Sequence, residues 1–194
     1  MRTLRLLAVL AVGLSGTAAC ATGNPATAYR ALPSSVTAIP SAPLAQPVQS
    51  PDGYSIAPPA GWVRSPASGP NGPSLAFFAP PADRPGSNPP ADGLAVTVAP
   101  AAADLQTLVD QAKNTDPRIR ANYRIVTDKP TIASGLPGHL LGGTYDVGGV
   151  TWENLRLIVV NSEKEYTVTF TGPASSFASL HAIALASMST LTVS

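Results

Sequence analysis

Cys20 is the residue whose surroundings specify a reaction most clearly. It is the only cysteine in the 194-residue chain and closes the run Leu14-Ser-Gly-Thr-Ala-Ala19. Ahead of that run lie a cationic start, Met1-Arg-Thr-Leu-Arg5, and an apolar stretch from Leu6 to Leu14. Cation, short apolar stretch and small residues, in that order, specify a secretory signal peptide over residues 1–19. The apolar part is shorter than the ~20 residues a membrane-crossing helix needs. A thiol at this point can be alkylated with diacylglycerol, after which cleavage leaves Cys20 as the new N-terminus. Two or more acyl chains, at about 0.8 kcal/mol per buried CH₂, hold a protein far better than one.

The small residues before Cys20 resemble a bacterial lipobox, with Thr17 standing where Leu is commonest. Ala19-Cys-Ala21 also reads as an ordinary small-residue cleavage site. Against that reading, a lone thiol exported to an oxidising compartment has no disulfide partner and is a liability. The expectation is an acylated Cys20 that anchors the chain to the extracytoplasmic face of the cell membrane.

Catalytic patterns are missing elsewhere. His139 and His181 are 42 residues apart and belong to no His-x-His or His-Glu-x-x-His pattern, so no metal is expected. Ser134-Gly-Leu lacks the strand-to-helix setting of a nucleophile elbow. Gly142-Gly143 and Gly148-Gly149 punctuate hairpins and are followed by no Lys-Ser/Thr, which excludes a phosphate-cradling loop. Glu163 and Glu165 flank Lys164 in a turn, where charges are usually solvated. The chain is expected not to be an enzyme and to carry no cofactor beyond acyl groups on Cys20.

Charge narrows the partners. Twelve Lys and Arg face eleven Asp and Glu, and removing Arg2 and Arg5 with the leader leaves the mature chain near neutral. Nucleic-acid binding needs clustered cations. The nearest approach to a cluster is Arg118, Arg120 and Arg124, interrupted by Ile119 and Tyr123. Trp152, Asn154 and Arg156 share one face of a strand, a mixed face that suits a partner. Trp62 and Phe77 read as core.

The elements that position these residues follow from periodicity. Residues 20–50 show neither helical nor strand period and carry Pro25, Pro33, Pro40, Pro43 and Pro47, a tether that can extend to roughly 90 Å at ~3.1 Å per residue. The folded domain is expected over 51–194. Tyr54–Ile56, Leu75–Ala79 and Leu94–Val98 read as an antiparallel start, with a Pro/Gly/Asn-rich loop at 80–92. Leu105, Leu108, Val109 and Ala112 fall at helical spacing, opened by Asp104 and closed by Lys113-Asn114 before Pro117. A strand over Tyr123–Val126 ends at Asp128-Lys-Pro130, and Gly135-Leu-Pro-Gly138 reads as a turn. Strands over His139–Tyr145, Thr151–Val160 and Tyr166–Thr171 form a meander, and a C-terminal helix follows Gly172-Pro-Ala-Ser-Ser176 with Phe177, Leu180, Ile183 and Ala184 inward. The predicted fold is α+β: an antiparallel sheet of six to seven strands flanked by two main helices.

Several of these features occur together in one family. Tyr54-Ser-Ile56, Pro59-Ala-Gly-Trp62, a Phe-containing strand, the Gly-Leu-Pro-Gly turn, a Tyr-x-Val-x-Phe strand and a terminal helix with Phe177 and Ser187 resemble the LpqN/LpqT-type mycobacterial lipoproteins. The resemblance implies a PsbP-like αβα sandwich that hosts binding and adaptor roles, and transfers no catalytic residue. The expected function is a non-catalytic envelope module that recognises an envelope protein or a cell-wall or lipid component. The alternative is a carrier of a small apolar ligand held between sheet and helix.

Overall fold

The structure, a computed structural model, describes residues 43–65, 74–81 and 92–194. The leader, Cys20, most of the tether and most of the 80–92 loop lie outside the described residues. The elements are β1 (Val48–Ser50), β2 (Tyr54–Ile56), β3 (Val63–Ser65), β4 (Ser74–Ala79), β5 (Gly93–Pro100), α1 (Leu105–Ile119), β6 (Ala121–Ala133), β7 (Leu136–Val147), β8 (Val150–Val160), β9 (Lys164–Pro173), α2 (Ala174–Ser189) and β10 (Thr192–Val193). Seven strands form one sheet in the order β3-β4-β5-β9-β8-β7-β6, and β1-β2-β10 form a small second one. All pairings are antiparallel. Seven strands and two helices match the expected α+β architecture.

Period-2 alternation decides which face is buried. Tyr166, Val168 and Phe170 of β9 lie opposite Val98, Val96 and Leu94 of β5, and all six are buried. On the same face, Leu155, Leu157 and Val159 of β8 extend the layer, and α2 covers it with Phe177, Ala184 and Met188. The Phe177 ring meets Phe170 edge-on at 6.0 Å, and Trp62 packs from the margin at 5.2 Å. The layer between sheet and α2, where a carrier would hold its ligand, is therefore filled by side chains. On the opposite face, α1 packs over β6, β7 and β8.

Six details differ from the sequence reading. First, described residues ahead of 51, assigned to the tether from the sequence, pair with the domain. Val48–Ser50 pairs with β2, Leu44 bridges to Pro59, and the Ala45 N–H donates to the Pro58 carbonyl at 2.8 Å, so the last Pro-rich residues are built into the domain. Second, Tyr54–Ile56 pairs with β1 and the C-terminal β10, not with β4.

Third, α1 does not stop before Pro117 but runs to Ile119. Its start is as expected, with Asp104 Oδ1 accepting from the Thr107 N–H at 2.7 Å. Its last turn is held through Asp116, which is 3% exposed, pairs with arginines from β8 and from the helix end, and accepts the Arg120 N–H on its carbonyl. Fourth, β6 continues through Pro130 to Ala133. It pairs only with β7, and a sheet edge is where a proline can sit mid-strand without breaking a ladder.

Fifth, the turn before β7 is Ser134-Gly135, with φ of 55° and 74°, and Leu136-Pro-Gly138 already belongs to the strand. Two residues at positive φ make the tight turn whose twist suits a hairpin. Gly148-Gly149, at 58° and 82°, does the same between β7 and β8, as read from the sequence. Sixth, Gly142 and Gly143 punctuate no turn; they lie inside β7 because neighbours come too close for a side chain. A Cβ on Gly142 would sit 2.7 Å from the Asn154 carbonyl oxygen. One on Gly143 would sit 2.7 Å from that of Arg124 and run into the Tyr123 ring.

Candidate functional site

Because α1 covers only the β6–β8 side, the rest of its face of the sheet is left open among the described residues. The residues there alternate with the core: Phe77 with Phe78, Ala95 with Leu94 and Val96, Thr169 with Val168 and Phe170. They line a cleft of about 270 Å³ formed by Phe77, Gly93, Ala95, Tyr145, Val147, Trp152, Thr169 and Thr171. These come from five neighbouring strands, β4, β5, β9, β8 and β7, which at ~4.8 Å per strand span roughly 19 Å. Phe77, read from the sequence as core, therefore stands half-buried in an open wall. Its ring covers Gly93 so closely that a Cβ there would sit 2.7 Å from it. Glycine at 93 is what lets the ring lie down and form the floor.

Three aromatic rings, one valine and two threonines make a largely apolar surface with hydroxyls along one strand. Among its lining residues only the Tyr145 phenol is ionisable, and burial pushes it up from its ordinary value. None of these lining residues is a carboxylate, histidine or lysine, the usual general acids and bases near neutral pH, and none carries a thiol, an amine or a serine hydroxyl.

Beside the cleft lies a buried charge cluster. Arg156 Nη2 donates to both Asp116 oxygens, at 3.3 and 3.2 Å, and Arg120 Nε lies 3.6 Å from Oδ1. The Arg120 guanidinium sits over the Tyr145 ring, 4.5 Å from its centre, so it is held by a carboxylate and a π-face together. Tyr123 packs behind, its ring 6.4 Å from Tyr145 and its hydroxyl buried. Burial foremost, and the Asp116 charge next, push the Tyr123 phenol up to about 12.

This has a pH consequence of definite sign. A phenol whose folded pKa is raised contributes stability that is whole below its ordinary value of 10 and is lost as pH rises from there toward 12. Titration of tyrosinate absorbance should show Tyr123→Phe removing a phenol that titrates at about 12. Removal of an earlier one instead would contradict the assignment.

The three residues singled out from the sequence do share the α1-side face, but in different settings. Trp152 lines the cleft, paired directly with Tyr145 of the neighbouring β7. Asn154, 1% exposed, accepts the Gly143 N–H on Oδ1 at 3.1 Å. Arg156 is engaged with Asp116 under α1. Sequence reasoning missed Phe77, Tyr145, Val147 and Asp116. The strand period could have placed Phe77 opposite Phe78, but an all-apolar run leaves open which of the two faces the core.

The histidines are apart. His139 Nε2 lies 2.7 Å from Asp128, which also meets Lys113, and these partners hold the Asp128 carboxyl below its usual range. His181 meets Phe177 edge-on at 6.0 Å. Among the described residues no three His, Cys, Asp or Glu side chains gather as a metal site, and no helix is long and apolar enough to cross a membrane.

An antiparallel seven-stranded sheet with α2 on one face and α1 over part of the other defines a PsbP-like α+β sandwich. Cyanobacterial PsbP (CyanoP) from Synechocystis aligns over 82% of this chain and 98% of its own, with a TM-score of 0.59 at 16% identity. LpqN of Mycobacterium tuberculosis, described as involved in cell envelope biogenesis, aligns over 76% and 89%, with a TM-score of 0.58 at 17% identity. A protein from Bacteroides thetaiotaomicron aligns over 77% of this chain and 48% of its own, with a TM-score of 0.53 at 12% identity. No protein-family model matches the sequence, and no curated protein matches it.

Proposed function

We propose that this protein is an exported lipoprotein of the LpqN/LpqT type. In this reading acyl chains on Cys20 hold it at the extracytoplasmic face of the cell membrane, and its sandwich domain is a non-catalytic binding or adaptor module. The partner is an envelope protein or a cell-wall or lipid component. The observation that carries the binding role is the open, ring-lined cleft, which offers apolar area and hydroxyls but no acid, base or nucleophile. Aromatic side chains are the usual energetic anchors of recognition surfaces. The anchor rests on the leader and the lone Cys20, and the likeness in fold to an envelope-biogenesis protein agrees with that address. The close packing of Phe177 and Met188 of α2 against the sheet, Phe170 included, favours a surface binder over a carrier with an internal ligand.

Two measurements test this. Cys20→Ala should move the protein from the membrane fraction to a soluble one, and the native protein should carry the added mass of acyl chains; an Ala variant still in the membrane refutes the anchor. A photo-crosslinking amino acid at Trp152 or Phe77 should capture a partner in cells where the same probe at exposed Ser162, on the β8–β9 turn, does not. Equal capture from all three positions refutes the cleft as the binding site.

A further inference from the structure

We infer that the cleft seats a bulky apolar side chain from an extended, acidic segment of a partner protein. A backbone carbonyl of that segment accepts from the Asn154 amide, and a neighbouring carboxylate pairs with Arg120. The inference rests on the binding reading above and names the partner's chemistry.

Size is the first observation. About 270 Å³ falls just below the ~300–1,000 Å³ of sites that bury a whole small molecule. It suits one anchoring side chain ringed by Phe77, Tyr145 and Trp152, the form an interface hot spot usually takes.

The second is a polar group without a partner. Asn154 Oδ1 accepts from a backbone N–H of β7, so the amide oxygen faces that strand and Nδ2 is turned from it. Nδ2 is buried and donates to nothing. By register, Asn154 lies among cleft residues: Thr171 is opposite on β9, Trp152 is two positions along β8, and Tyr145 is opposite Trp152. A buried donor left unpaired is costly, and a peptide carbonyl satisfies it. Extended peptides bring such carbonyls at regular intervals.

Charge is the third. Asp116 carries two guanidiniums on one carboxylate, so Arg120, lying on the Tyr145 ring, keeps an excess positive charge at that wall. Arg118, two residues earlier, and Arg124, opposite Thr144, are exposed. Asp146, beside Tyr145, keeps its negative charge while Asn122 at 2.8 Å and Thr151 at 3.0 Å donate to it; Arg124 offsets that charge, which leaves Arg120 as the cation on the ring wall. A neutral glycan would leave this positive side unused, and an acyl chain would use neither the guanidinium nor the Asn154 donor. An acidic peptide uses the rings, the amide and the guanidinium at once.

The test uses the full chain from residue 20 with Cys20→Ala, displayed to a random dodecapeptide library. Selected peptides should carry one large apolar residue with Asp or Glu within about four positions. A synthetic copy should bind at least tenfold more weakly to Arg120→Gln and lose affinity as salt shortens the screening length. Because Asn154 variants lose the Gly143 contact and can misfold, the amide is read directly: the Asn154 side-chain NH₂ resonances should shift when peptide is added to the ¹⁵N-labelled chain. Unchanged affinity in Arg120→Gln, peptides selected without acids, a silent Asn154 amide, or binding only to phosphatidylglycerol vesicles each overturn the inference. If Trp152 still captures a protein in cells after such a result, the binding module stands and only the peptide chemistry falls.

Discussion

Asp116→Ala should lower the unfolding free energy by about 3–5 kcal/mol, read as a fall in the denaturant midpoint at unchanged slope. The cause is what the substitution leaves behind. Arg156 has only 15% of its side chain exposed, and without Asp116 its charge has no counterpart under α1. Replacing both partners, as Asp116→Leu with Arg156→Met, removes that stranded charge and should restore most of the loss. A double variant as unstable as the single one would show that the pair does not act as a unit. The effect should be concentrated where α1 joins the sheet: Asp116 holds the helix's last turn, and the same carboxylate steadies Arg120 over Tyr145. Faster hydrogen exchange through the end of α1 and the start of β6 is expected, with β9 and α2 protected until global unfolding.

Phe170→Ala should cost a comparable amount, about 3–5 kcal/mol, for a different reason. Phe170 is fully buried on the central strand β9, between Trp62 at 5.2 Å and the edge of Phe177 at 6.0 Å. Truncation opens a void lined by rings that cannot all close in. Domains of this kind have about 5–15 kcal/mol in total, so one ring removes a large share. Phe77→Ala, a chemically identical change on the cleft face, should cost much less stability while weakening capture of a partner from Trp152. If the two variants melt alike, the division of the sheet into a core face and a working face is wrong.

The division of labour between β9's two faces was legible in the chain, because Tyr166, Val168 and Phe170 alternate strictly with Thr167, Thr169 and Thr171. So were the Gly148-Gly149 hairpin and the Asp104 cap, each a local signal read by local chemistry. Leu75-Ala-Phe-Phe-Ala79 was not, since its period cannot say which phenylalanine faces inward; only the helix packed on the Phe78 side decides that. Pro117 and Pro130 read as stops for a similar reason. Proline's local preference is real, but Asp116 and its arginines hold the first segment in helix, and the edge position of β6 leaves the second free of a ladder bond on one side. Gly142 and Gly143 looked like punctuation because the chain does not disclose that Asn154 and Tyr123 crowd them.

What the chain by itself determined is whatever depends on neighbours in sequence: the leader-like start, the placement of Cys20, the α+β composition, and the absence of motifs for metal or phosphate. The tertiary structure alone brought together the candidate site. A cleft shared by five strands, and an aspartate held by an arginine forty positions away, exist only once distant segments lie side by side. Period and propensity describe which way a side chain points from its own strand; what it meets there depends on strand order and on where α1 stops covering the sheet.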